Sequence, residues 1–133
     1  MLLAVEQIRR MRGGAQAHLM RCAGEEYYVV KFQNNPQGVR ILANELLATR
    51  LASGVGLPTA QGAVVEVREG LIQYSEDLVI QMGRGRAPCA AGFQFGSRYP
   101  GSPAETIVYD FLPEEQLCEV VNRDAFRGIL AFD

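Results

Sequence analysis

From Ala4 to Phe32 the apolar and polar positions change over in short runs, broken at Gly13-Gly14 and at Ala23-Gly24-Glu25. Tyr27, Tyr28, Val29, Val30 and Phe32 add strong strand propensity, so three antiparallel strands joined by two tight turns are predicted here. The polar cluster Gln33-Asn34-Asn35-Pro36-Gln37-Gly38 then turns the chain. After it, Val39, Leu42, Ala43, Leu46, Leu47 and Leu51 recur at helical spacing. A helix from Val39 to about Ser53 follows, ending at Gly54 or Gly56.

Beyond Leu57-Pro58, Ala63 to Val67 reads as a strand, and further extended pieces are expected around Leu71-Ile72 and Leu78-Val79-Ile80. The stretch from Arg84 to Pro103 is rich in Gly and Pro and reads as a long loop. Thr106 to Tyr109 is another β-branched and aromatic run. Pro113 is placed to open a helix over Glu114 to Val121, with Glu114 and Glu115 favoured by its dipole. Arg123 to Phe132 reads as the first turns of a last helix, with no stop signal before Asp133. The fold class is therefore α+β: an antiparallel sheet of about five strands, one packed helix and a C-terminal helical segment.

The length of 133 residues fits one domain. With 13 basic against 15 acidic residues and a net charge of −2, the chain lacks the basic surplus of a general nucleic-acid binder. Cys22, Cys89 and Cys118 are odd in number and far apart, and His18 is the only histidine, which argues against a zinc site or a disulfide framework. The apolar start Met1 to Val5 is too short for a signal segment, and no stretch approaches the length of a membrane span. A cytoplasmic chain with no membrane or nucleic-acid partner is expected.

Twelve of the basic residues are Arg, and the single Lys is Lys31. A Lys inside an apolar strand either snorkels to solvent or is kept for a phosphate or carboxylate, because its compact ammonium is not equivalent to a guanidinium. Strand alternation puts it on the face opposite Val30 and Phe32. Glu45 borders the apolar face of the following helix, where it either reaches the sheet or is a solvated flank charge. Gly13-Gly14-Ala15-Gln16 could bring backbone N–H groups close to an anion, although taken alone a plain type I′ hairpin turn is the commoner reading of such a glycine pair. Kinases share the order of glycine-bearing turn, strand Lys and helix Glu, with the Glu holding the Lys toward the α- and β-phosphates. His18 reads as a strand histidine and Arg84-Gly85-Arg86 as a solvated loop.

The chain resembles the N-terminal lobe of the HipA-like kinases, of the short free-standing bacterial type. The residues carrying the likeness are Arg9 to Gln16, Tyr28 to Gly38, Asn44-Glu45-Leu46, Ala91 to Ser97 and Val108 to Pro113, which together span nearly the whole chain. The resemblance implies a two-lobed serine/threonine protein kinase fold using ATP and Mg²⁺. By position, Gly13, Gly14, Ala15 and Gln16 would lie over the phosphates, Lys31 would touch them and Glu45 would orient Lys31. Tyr109, Asp110, Phe111 and Leu112 would form the adenine-binding hinge, mainly through backbone.

The same resemblance puts the catalytic Asp and the metal-binding Asn and Asp after a Phe-Asp pair that Phe132-Asp133 matches. These 133 residues are thus expected to bind ATP weakly, to hold Mg²⁺ only with the second lobe, and to be inactive alone. A non-catalytic binding or regulatory module on the same scaffold is the alternative. The turn at Gly13 to Gln16 carries no Ser or Thr, so autophosphorylation of this loop is not implied. The hinge and the face formed by Phe126, Ile129, Leu130 and Phe132 would lack cover, so self-association or a protein partner is expected at that end.

Overall fold

Three successive strands, β1 (Leu2–Arg10), β2 (His18–Cys22) and β3 (Glu26–Lys31), form an antiparallel meander at the start of the chain. They appear in a computed structural model that describes residues 1–109 and 112–132. Tyr28 and Val30 point inward from β3 and Phe32 follows on the same side, all nearly or fully buried. The register of β1 on β2 slips between Ala4 and Glu6 and again between Gln7 and Arg9. Such irregularities bend a strand and increase its twist, as a small closed sheet requires.

Helix α1 (Arg40–Gly54) connects β3 to β4 (Gly62–Val67). Its end is a Schellman arrangement: Gly56 N–H donates to the Ser53 carbonyl, Leu57 N–H donates to the Ala52 carbonyl, and Gly56 takes a φ of +82°. The helix lies over the outside of the sheet through Leu42, Ala43 and Leu46, which face Ala63, Val64 and Phe95. Leu47 and Leu51 stay exposed, so only part of the apolar stripe read from the sequence is covered.

The expected long loop from Arg84 to Pro103 is not one. It contains β6 (Gly85–Pro88), which forms a hairpin with β5 (Val79–Met82), and β7 (Gly92–Arg98), which lies between β3 and β4 and pairs with both. Glycine inside β7 answers to close approach rather than to turning. A Cβ on Gly96 would come within 2.6 Å of Val65 Cγ2 and 3.2 Å of the Tyr28 ring.

Leu71 and Ile72, expected as strand, lie in a short helix, α2 (Glu69–Tyr74), where Ile72 reaches the core. Burial here outweighs the β-branched propensity of Ile72.

The five main strands close in the order β1-β2-β3-β7-β4 and back to β1. Every contact in this ring is antiparallel except β4 with β1, where Leu2 lies opposite Val65 and Leu3 opposite Glu66. The expected antiparallel sheet of about five strands is present, and closure adds the one parallel contact, because a closed ring with an odd number of strands cannot alternate direction at every step. Met20, Val30, Phe32 and Val65 fill the interior, and Leu78 and Ile80 from the hairpin segment join the same cluster.

Thr106 to Tyr109 forms no strand, and the expected helix over Glu114 to Val121 is a 3₁₀ segment ending at Glu119. Asp110, Phe111 and Asp133 lie outside the described residues. The last helix, α3 (Ala125–Phe132), is present as read. It has more intramolecular cover than expected: Gly128 sits against Leu57, and Ile129 and Phe132 share a groove with Ala52 and Leu57. Phe126 and Leu130 remain exposed. No helix among the described residues is long and apolar enough to cross a membrane.

Candidate nucleotide site

Alternation along β3 sends Val30 into the barrel and Lys31 out of it, beneath α1. There Lys31 Nζ donates to Glu45 Oε1 at 2.5 Å, the two side chains being 23% and 34% exposed. The sequence expectation that Glu45 reaches the sheet is met. The pair is too wet to add much stability, on the order of 1 kcal/mol or less. What it does is hold an ammonium in one place with further N–H bonds to give.

The approach of α1 to β3 depends on side-chain amides in the connecting turn. Asn34 donates to the Pro88 carbonyl and accepts from Ala90 N–H, each at 2.8–2.9 Å, doing the work of a neighbouring strand. Buried Gln94 accepts from Gln33 N–H at 2.8 Å and donates to the Ala90 carbonyl at 2.7 Å. Asn35 donates to the carbonyls of Phe32 and Gly38, and Gly38 takes a φ of +92° as the chain turns into α1. Buried amides must be satisfied, so this network leaves the path from Lys31 to Glu45 little freedom. Sequence reasoning gave Gln33, Asn34, Asn35 and Gln94 no role. The run of amides in that turn was the available signal.

The connection from β1 to β2 is longer than the type I′ turn considered for Gly13-Gly14. It runs over residues 11–17, closed by Met11 N–H to the Ala17 carbonyl and Gln16 N–H to the Gly13 carbonyl. Gly13 has a φ of +122°, and Gly14 lies against the Gln37 side chain. Among the described residues the amide groups of Gly13, Gly14 and Ala15 have no hydrogen-bond acceptor. Unengaged amides in a glycine-bearing loop are of the kind that can meet an anion, although the Ala15 side chain itself is buried. The Gln16 side chain is already committed, to Gln81 and Arg10.

His18 lies opposite Val30, so this loop and Lys31 are at the same end of the β2–β3 pair. The chain leaves β7 toward the other end, three rungs from Lys31↔Phe95 to Tyr28↔Arg98. Tyr109 is half-exposed and irregular; Asp110 and Phe111 are not described. The structure thus pairs Lys31 with Glu45 and sets the glycine-bearing loop at the same end of β2 and β3; of the proposed hinge only Tyr109 is among the described residues. Among the described residues no three His, Cys, Asp or Glu side chains cluster as a metal site.

His18 is a strand histidine, as read. It is fully buried, edge-on to Phe32, with Nε2 3.8 Å from Cys89 Sγ and Nδ1 unpartnered. Loss of hydration on burial lowers its pKa to about 4, with Arg10 adding to the effect. The unfolded chain binds this proton near pH 6.5 and the folded chain does not until about pH 4. Stability is therefore complete well above pH 6.5 and falls as pH drops through that window, by about 3 kcal/mol. Urea titrations at pH 7 and pH 4.5 are expected to show this loss, and His18→Gln should remove that share of the pH dependence.

The model of the HipA-like kinase family matches residues 4–133, nearly the entire chain. No curated protein and no solved structure gives a significant match.

Proposed function

The chain belongs to the HipA-like kinase family, and from that membership we propose that it is an ATP-binding lobe of a serine/threonine protein kinase. The observation that supports this most is the Lys31–Glu45 pair, set at the same end of the sheet as a loop with unengaged backbone amides. Lys31 would contact the α- and β-phosphates, with Glu45 keeping its ammonium in place. The Gly13, Gly14 and Ala15 amides would bind phosphate oxygens, with Gln16 completing the loop. The backbone of Tyr109, Asp110 and Phe111 would receive the adenine.

The family resemblance places the groups that would hold Mg²⁺ in a second lobe, and Mg²⁺ coordination is proposed to depend on that lobe. Phosphoryl transfer also needs groups that orient the acceptor and hold the metal. The 133-residue chain by itself is accordingly proposed to bind nucleotide weakly and to transfer nothing. The exposed side of α3, with Phe126 and Leu130, is proposed to meet a second polypeptide or a second copy.

Titrating the ¹⁵N-labelled chain with ATP tests this reading. Shifts are expected at Gly13, Gly14, Ala15 and Lys31, saturating in the range of weak binding and reversed by dilution. Absence of any shift at millimolar ATP would sink it in favour of a non-catalytic module on the same scaffold.

A further inference from the structure

Gln16 is a non-glycine residue held at a φ of +50°, a conformation that persists only where surrounding contacts enforce it. The contacts are specific. Its side-chain Nε2 donates to the Gln81 carbonyl at 2.9 Å, and its Oε1 accepts from the Gln81 N–H at 2.7 Å, across 65 residues of sequence. One amide thus bonds both backbone groups of a β5 residue, as a neighbouring strand would, and closes a sheet edge that otherwise exposes them. Oε1 also accepts from the Arg10 guanidinium at the end of β1. Gln81 follows Ile80, which is fully buried in the core, so Gln16 is tied to a strand anchored by core packing.

We infer that Gln16 is a positioning residue: by pairing with the backbone of Gln81 it clamps the glycine-bearing loop to the β5–β6 hairpin and holds the Gly13, Gly14 and Ala15 amides ready for phosphate. The inference rests on the nucleotide-binding reading above. It also makes the hairpin a handle on the loop, because Gln81 lies opposite Arg86, beside the exposed Gly83–Arg84 turn. The chemistry demands Gln. A carboxylate of the same length accepts from Gln81 N–H and Arg10 but cannot donate to the Gln81 carbonyl, methionine does neither, and asparagine is one methylene short.

The test compares the wild-type chain with Gln16→Met and Gln16→Glu, each checked for folding by circular dichroism. Two quantities are read: hydrogen exchange at Gln81 N–H without nucleotide, and the affinities for ATP and for adenosine. Expected for Gln16→Met are at least tenfold faster exchange at Gln81, ATP affinity down about tenfold and adenosine affinity changed less than twofold. Gln16→Glu should fall between Met and wild type, and carries the comparison alone if the Met variant does not fold.

A purely structural role would lower ATP and adenosine affinity together, and that result overturns the inference. Unchanged ATP affinity, or unchanged exchange at Gln81, does the same while leaving ATP binding by the wild type intact. A wild-type chain that does not bind ATP overturns the parent reading, and the inference with it.

Discussion

Replacing Lys31 by methionine is expected to weaken ATP binding by about 10- to 100-fold while leaving adenosine binding within about twofold. The size follows from losing charge-assisted hydrogen bonds to phosphate, about 1.4–2.7 kcal/mol for those ratios. Methionine keeps the length of the side-chain stem and removes only the ammonium. Because the pair with Glu45 is a quarter to a third exposed, the variant should remain folded, with a melting temperature close to wild type.

Lys31→Arg should not restore binding. The ammonium sits at 2.5 Å from Glu45 under α1, and a planar guanidinium presents its donors in a fixed fork that does not reproduce this compact charge. Glu45→Gln is expected to cost less, about 3- to 10-fold, since it loosens the ammonium without removing it. The double variant should lose less than the two single losses combined. Calorimetric titration with ATP and adenosine checks all of these, and equal ATP affinity in Lys31→Met and wild type would contradict the site.

The largest stability effect is expected at Gly96. Its added methyl would lie 2.6 Å from Val65 Cγ2 and 3.2 Å from Tyr28 Cδ1, inside the barrel, where Val65 is fully buried and Tyr28 nearly so. Neither neighbour can swing into solvent. β7 is bonded on both sides, to β3 and β4, so backbone movement would disturb two ladders at once. Gly96→Ala should therefore destabilise the chain by about 1–3 kcal/mol or more, and Gly96→Val should prevent folding.

Gly54→Ala is the matching control. It is the last residue of α1, with open space where the methyl would go, and should be neutral or stabilising by up to about 1 kcal/mol. Chemical denaturation of the three variants gives the comparison. A Gly96→Ala chain as stable as wild type would mean that β7 does not pass this close to β3 and β4.

Much of this was legible in the residues. The β1–β3 meander, the span of α1 to within a residue, the strand from Ala63 to Val67 and the opposite facing of Lys31 and Val30 all follow from short-range periodicity and turn chemistry. That Glu45 approaches Lys31 was one of two readings the residues left open, favoured by the kinase-like order of turn, Lys and Glu and decided by the packing of α1. These features are local, and each residue carries its own part of the signal.

Tertiary structure decided the rest. Gly92 to Arg98 reads as loop because glycine usually ends elements, yet it is the strand between β3 and β4, where only a missing Cβ lets Val65 and Tyr28 meet. The parallel contact of β1 with β4 belongs to no segment and arises from closing five strands into a ring. Gln16 and Asn34 look like ordinary turn residues, but their amides complete the backbone pairing of chain 65 and 54 residues away. The sequence by itself determined which segments extend, which coil and where one ammonium would face. Which backbone groups were left unpaired, and so which side chains had to satisfy them, was settled only when the sheet closed, because an amide's partner is fixed by burial and register and not by the residues beside it.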